Sequence, residues 1–163
     1  MQIADRLQIE RMLERIVYQI AENHFDKNAI TLVGLQESGL ILAKEVAARL
    51  QNTITAKLQI VSLSIDKKDP SKSSIHLSDP ISSKSEVVIL VDDVINSGRT
   101  LFYALRPFLE INLKNLQTLV LVERKYKRFP VSSDYVGISL NTTLKEHIEV
   151  QVKNGIAASI ELV

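Results

Sequence analysis

The chain has 163 residues, 45% of them hydrophobic and 24% charged, which is enough apolar material for one ordinary domain with its own core. Twenty basic against nineteen acidic side chains leave a net charge of +1, so the bulk balance requires neither a nucleic acid nor a membrane surface as partner. The absence of Cys excludes disulfide frameworks and thiolate chemistry, and 5% aromatics with no Trp argue against a broad base-stacking surface.

Ile9, Met12, Leu13, Ile16, Val17 and Ile20 recur at helical spacing with charged residues between them, which predicts an amphipathic helix ending near Asn23. Ala29–Val33 reads as a short buried strand stopped by Gly34, followed by a tight loop and a helix from about Ser38. Across Thr55–Ile65 apolar and polar residues alternate, first on Ala56, Leu58 and Ile60 and then on Val61, Leu63 and Ile65. That phase shift is what a bulge in one longer strand would produce.

Asp66–Ser85 has loop composition apart from Ile75–Leu77, and loops of this length inside compact domains are usually functional lids or disordered. Val87–Val91 is an unbroken aliphatic strand, Asp92–Gly98 a polar turn, and Thr100–Leu109 a helix-like stretch. Leu116–Val122 and Tyr135–Ile138 read as further strands, and Ile148–Val152 with Ile156–Val163 flank the turn Lys153-Asn154-Gly155, a closing hairpin. The longest apolar runs are far too short to span a bilayer, and Met1–Arg6 leads into a charged pattern rather than a signal segment, so the expected location is cytoplasmic. Strands alternating with helices predict a parallel sheet covered on both faces, with ligands at the carboxyl ends of its strands. That rule points to Gly34–Gly39, Asp92–Thr100 and Glu123–Pro130.

Of these three, Asp92–Thr100 carries the clearest chemistry. An aliphatic strand delivers Asp92 and Asp93, two acceptors suited to neighbouring sugar hydroxyls or a hydrated cation. Asn96, Ser97, Gly98, Arg99 and Thr100 then offer hydroxyls, a cation, a glycine that permits close backbone approach and the N–H groups of a helix start. Acceptors for a sugar beside donors for a phosphate describe a ribose 5-phosphate site. Helix capping alone needs one Asp or Ser and leaves the rest of the string unexplained. His24, His76 and His147 are dispersed, and no metal-ligand spacing is present.

The string Val87-Val-Ile-Leu-Val-Asp92-Asp93-Val-Ile-Asn96-Ser97-Gly98-Arg99-Thr100 resembles the phosphoribosyl diphosphate (PRPP) signature of the type I phosphoribosyltransferases, and within them the PyrR group of pyrimidine operon attenuators and uracil phosphoribosyltransferases. Ile9–Glu22, Val33–Leu50 and Leu119–Val136 resemble the same group's opening helix, pyrophosphate loop and base-side region. The resemblance implies an α/β fold: one domain over residues 1–163, a mainly parallel central sheet flanked by helices, a long flexible loop and a small C-terminal β-hairpin region.

It further implies transfer of ribose 5-phosphate from PRPP to a nucleobase, with Asp92 and Asp93 on the ribose hydroxyls and Asn96–Thr100 on the 5′-phosphate. Glu37, Ser38 and Gly39 would form the pyrophosphate loop, Lys67 and Lys68 would face the diphosphate from the long loop, and Arg124, Tyr135 and Val136 would flank the base. Mg²⁺ would arrive with PRPP rather than in a protein cage, and the protein would be a homodimer. Asn96 stands where purine-specific members typically carry an Asp; Asn cannot act as a base, which favours uracil.

Two departures set a second reading beside this one. Glu37 occupies a turn where the group generally has an Arg, and the long loop offers lysines where relatives carry Arg and aromatics. A sensor of PRPP or nucleotide with weak or no catalysis is the alternative, with RNA as a partner that the net charge neither requires nor excludes.

Overall fold

The structure is a computed structural model that describes residues 1–143 and 146–163. Nine strands and three helices occur among these residues: β1 (Gln2–Ala4), α1 (Arg6–His24), β2 (Ala29–Leu35), α2 (Gln36–Leu50), β3 (Lys57–Ser64), β4 (His76–Leu77), β5 (Val87–Ile95), α3 (Arg99–Ala104), β6 (Asn115–Arg124), β7 (Tyr135–Leu140), β8 (Ile148–Lys153) and β9 (Ile156–Leu162). A central sheet runs in the order β4-β3-β2-β5-β6-β7, parallel except for the short edge strand β4, and a second sheet pairs β1-β9-β8 antiparallel. Such parallel pairing needs crossovers, which α2, α3 and the long loop provide. No helix among the described residues is long and apolar enough to cross a membrane.

Helix α1 forms where the periodicity places it. Asp5 caps it by accepting from the Gln8 amide while the Gln8 side chain accepts from the Asp5 amide, and Ile9, Leu13, Ile16, Val17 and Ile20 are buried along one face. With α2 this face packs on Ile30, Leu32, Val87, Ile89, Val91, Leu119 and Leu121 of the sheet. The opposite face buries Val33, Leu35, Val61, Leu63, Val88 and Leu90 under Leu101, Ala104, Phe108 and Val131.

These two cores explain the phase shift in Thr55–Ile65, and no bulge is involved. The β2–β3 register runs unbroken from Ala29↔Lys57 to Leu35↔Leu63. Leu58 packs on the α1–α2 side while Val61 and Leu63 pack on the α3 side, so each half of β3 is apolar on the face that happens to be covered there.

Other expectations shift at their edges. β2 continues through Gly34 to Leu35 and α2 starts at once, with Gln36 at φ 56°, so the anticipated loop is a junction without intervening residues. The third helix stops at Ala104 and continues only as a 3-10 turn over Arg106–Phe108, because Pro107 has no N–H to extend the ladder. The C-terminal hairpin turns on Asn154 (φ 53°) and Gly155 (φ 73°), the positive pair a two-residue turn demands. Its partner β1 is only three residues long, with its pairing completed by Leu162 N–H to Met1 O at 2.8 Å.

Candidate functional site

β5 is one of the two central strands of the six-stranded sheet, paired with β2 and β6, and it carries its strand geometry through both aspartates to Ile95. The polar turn anticipated at Asp92–Gly98 therefore spans only Asn96–Gly98. Alternation reverses across the two aspartates: Val91 packs in the α1–α2 core and Ile95 in the α3 core. Each carboxylate accepts from the next amide, Asp92 Oδ1 from Asp93 N at 3.0 Å and Asp93 Oδ1 from Val94 N at 2.9 Å.

Asp92 is 4% exposed and Asp93 is half-buried. Burial holds the Asp92 carboxyl well above the ordinary carboxylate range, the Asp93 charge adds to this, and the Lys67 ammonium opposes it. A buried acid beside a second acid is the arrangement expected where a ligand, not the fold, supplies the compensating groups.

After β5 the chain turns through Gly98, whose φ of 83° is a conformation that disfavours any side chain. Ser97 O accepts from both Arg128 N (2.9 Å) and Phe129 N (3.1 Å), and Ser97 Oγ accepts from Arg99 N at 3.3 Å. Phe129 packs against Phe102 and Tyr103, ring centroids 5.6 and 6.0 Å away, which fixes the following loop over α3. The result is a cavity of about 100 Å³ lined by Lys67, Asp92, Val94, Ile95 and Asn96–Leu101. Asp92, four polar or charged side chains of Asn96–Thr100 and one lysine from the long loop thus share a single concave surface.

Arg124 is the last residue of β6, and each of its three guanidinium nitrogens donates a hydrogen bond. Nη1 donates to Asn96 Oδ1 at 3.1 Å, Nε to Thr142 Oγ1 at 2.6 Å and Nη2 to Thr143 O at 2.7 Å. Because Arg only donates, the Asn96 oxygen must face it, and among the described residues the Asn96 amino group makes no hydrogen bond. Glu146 accepts from Thr143 N at 2.7 Å, a bond that holds its carboxyl below the usual range.

The remaining anticipated residues do not join this cavity. Glu37 is exposed in the first turn of α2 and, with Gln36, Ser38, Ile41 and Val152, borders a separate open cleft of about 480 Å³. Gly39 is buried, and a Cβ there would collide with the Val91 carbonyl oxygen, so the start of α2 is seated directly against the middle of β5. Lys68 is exposed, with its amide donating to Asp66 Oδ1.

Tyr135 does not reach the site: it is 2% exposed in the α1–α2 core, its hydroxyl donating to Gln117 Oε1 at 2.9 Å and accepting from Asn23 at 3.0 Å. Val136 packs in the α3-side core, and its carbonyl accepts from Arg15. As consecutive opening residues of β7 these two point to opposite faces of the sheet, Tyr135 into the α1–α2 core and Val136 against the α3-side core. Gln36, whose side chain donates to Ile65 O at the start of the long loop, and Arg106, which holds that loop further along, were not legible in local sequence.

Residues 1–154 match the family model described as the phosphoribosyl transferase domain. The "Bifunctional protein pyrR" of Enterococcus faecalis is 32% identical over 159 residues, spanning 93% of this chain and 89% of its own. The "Bifunctional protein PyrR" of Haemophilus ducreyi is 31% identical over 162 residues, with 93% and 89% covered. Among solved structures, a hypoxanthine phosphoribosyltransferase of Trypanosoma cruzi superposes with a TM-score of 0.78 at 15% identity, covering 99% of this chain and 94% of that one. A hypoxanthine-guanine phosphoribosyltransferase from Bacillus anthracis gives 0.77 at 19% identity, covering 100% and 96%. These last two speak to fold alone. With the family model covering nearly its whole length, relatives matching 93% of it and the same architecture in solved structures, the chain belongs to the type I phosphoribosyltransferase family and has PyrR proteins among its relatives.

Proposed function

We propose that the protein binds PRPP at the end of β5 and transfers its ribose 5-phosphate to uracil, releasing pyrophosphate. The observation that carries this reading is the convergence of Asp92, the Asn96–Thr100 string and Lys67 on one cavity. Asp92 and Asp93 accept from the ribose hydroxyls. The hydroxyls of Ser97 and Thr100, the Arg99 side chain and the backbone N–H groups of the turn donate to the 5′-phosphate. Lys67 and its neighbour Lys68 bring positive charge to the diphosphate.

In the reaction the bond from the ribose anomeric carbon to the diphosphate oxygen breaks as a base nitrogen attacks that carbon. Positive charge grows on the sugar ring, and the two carboxylates are placed to stabilise it. The residues also fit Mg²⁺: Asp93 is an accessible carboxylate, and among the described residues no third acidic or His side chain joins the pair, so the ion's other ligands would be water and diphosphate oxygens. When bound, Mg²⁺ neutralises the departing pyrophosphate. Asn96, with its oxygen held by Arg124, offers no titratable carboxylate to a purine ring, which supports uracil as the base. Arg124 acts on the site through Asn96 rather than on the base.

The test is PRPP-dependent nucleotide formation with uracil, hypoxanthine and guanine in competition, with Mg²⁺ present. Uridine monophosphate should dominate; faster purine turnover overturns the base assignment. A second reading is favoured by Glu37, an exposed carboxylate in the turn where the PyrR group generally carries an Arg, which leaves the first turn of α2 without a cation for pyrophosphate. The protein would then be a homodimeric sensor of PRPP or nucleotide, and the same assay separates the two: binding without turnover supports the sensor.

A further inference from the structure

Arg106 lies outside the cavity, in the 3-10 turn after α3, and its head group is aimed at the backbone of the long loop. Nη1 donates to Ser71 O at 3.3 Å, and Nη2 donates to Pro70 O at 3.4 Å and to Ser73 O at 2.9 Å. Three carbonyls on one guanidinium form a fork that a single ammonium does not reproduce.

The segment it grips is braced as one unit. Asp66 N donates to Ser73 Oγ at 3.0 Å, Ser73 N donates to Asp69 O at 3.1 Å, and Lys68 N donates to Asp66 Oδ1 at 2.8 Å. Within this unit sits Lys67, whose side chain borders the cavity beside Asp92. Fixing Pro70–Ser73 therefore fixes Lys67, and the anchor comes from the 3-10 turn that follows α3, the helix whose first turn holds Arg99 and Thr100. We propose that Arg106 is a positioning residue, clamping the Asp66–Ser73 unit to the turn after α3 so that Lys67 is held beside Asp92 at the PRPP site. The inference rests on the PRPP reading of that site. Without the clamp the loop must order itself each time ligand binds, and affinity falls by that cost.

The experiment compares wild type, Arg106→Ala, Arg106→Lys, Lys67→Ala and the Arg106→Ala/Lys67→Ala double variant in the full chain. PRPP affinity is measured by calorimetry with Mg²⁺, and limited trypsin cleavage is followed at Lys67, Lys68 and Lys72. Arg106→Ala and Lys67→Ala should each weaken PRPP about five- to tenfold, with the double variant no weaker than Lys67→Ala alone, since both act through one ammonium. Arg106→Ala should speed cleavage in the loop while the melting temperature stays near wild type. Arg106→Lys should remain weak. Full restoration by Lys would make the effect one of charge alone and overturn the clamp, as would additive losses or unchanged cleavage. Wild-type protein that binds no PRPP overturns instead the reading of the site, so the two failures are told apart.

Discussion

The folded protein holds a proton on Asp92 at pH values where the unfolded chain has released it, because burial, with the Asp93 charge added, raises its pKa. Its contribution to stability is complete below the unfolded value of about 3.9 and is lost as pH rises through the folded value. Asp92→Asn keeps the shape and removes the charge. Near neutral pH it should raise the melting temperature by roughly 2–4 °C for each kcal/mol relieved, while PRPP affinity collapses. Thermal melts from acid to neutral pH, with calorimetry on the same protein, check both halves; a variant no more stable than wild type at neutral pH means the carboxyl is not strained there. Glu37 is the contrasting case. Exposed and outside the cavity, it should change pyrophosphate affinity by less than about 1 kcal/mol when replaced by Arg, and the gain should vanish at high salt. Titrations at two ionic strengths measure this, and a large, salt-resistant gain would place the side chain against the ligand.

Elements are joined at Glu45 of α2, which is 7% exposed. It accepts from Arg6 at 2.8 Å, from the Arg49 side chain at 3.4 Å and from Ala157 N of β9 at 2.8 Å, and so ties α2 to the start of α1 and to the second sheet. Glu45→Gln leaves a buried amide donor against guanidinium groups and should cost about 1–3 kcal/mol of stability. Urea unfolding should show the lower midpoint with PRPP affinity retained, and an unshifted midpoint would reduce the cluster to decoration. What was legible at this scale follows from locality. α1 was readable because its core stripe repeats within one segment, and Asp92–Thr100 because the whole string is contiguous. The bulge inferred for β3 failed because local alternation reports which face is covered, and here two different faces are covered along one strand. The core position of Tyr135 was not legible since its hydroxyl partners Asn23 and Gln117 come from other elements, and Arg106 was unseen since its three carbonyl partners lie more than thirty residues upstream.

Across the whole molecule the two faces of the sheet are covered unequally. One carries α1 and α2, of nineteen and fifteen residues; the other carries six-residue α3, a 3-10 turn and loops, and it is this side that holds the cavity. Thinly covered backbone opens at lower free energy than a sheet interior. Amide exchange should therefore be slowest in β2, β5 and β6, fast in Asp66–Ser85 and Lys125–Ser133, and slowed in those two loops by PRPP. Protection confined to the α1–α2 side on adding PRPP would put the ligand elsewhere.

The hydrogen bonds between Met1 and Leu162 bring the two ends of the chain side by side, the Met1 ammonium on Leu162 O at 2.7 Å and the Leu162 amide on Met1 O at 2.8 Å. Both ends are exposed. The order in which the elements are strung is thus separable from the shape they make. A circular permutant that joins Val163 to Met1 through a short glycine linker and opens between Asn154 and Gly155, an exposed turn, converts β9 and β1 into a new hairpin and leaves β8 as the final strand. It should fold to the same architecture and bind PRPP like the parent, since every contact of the cavity lies between residues that remain contiguous.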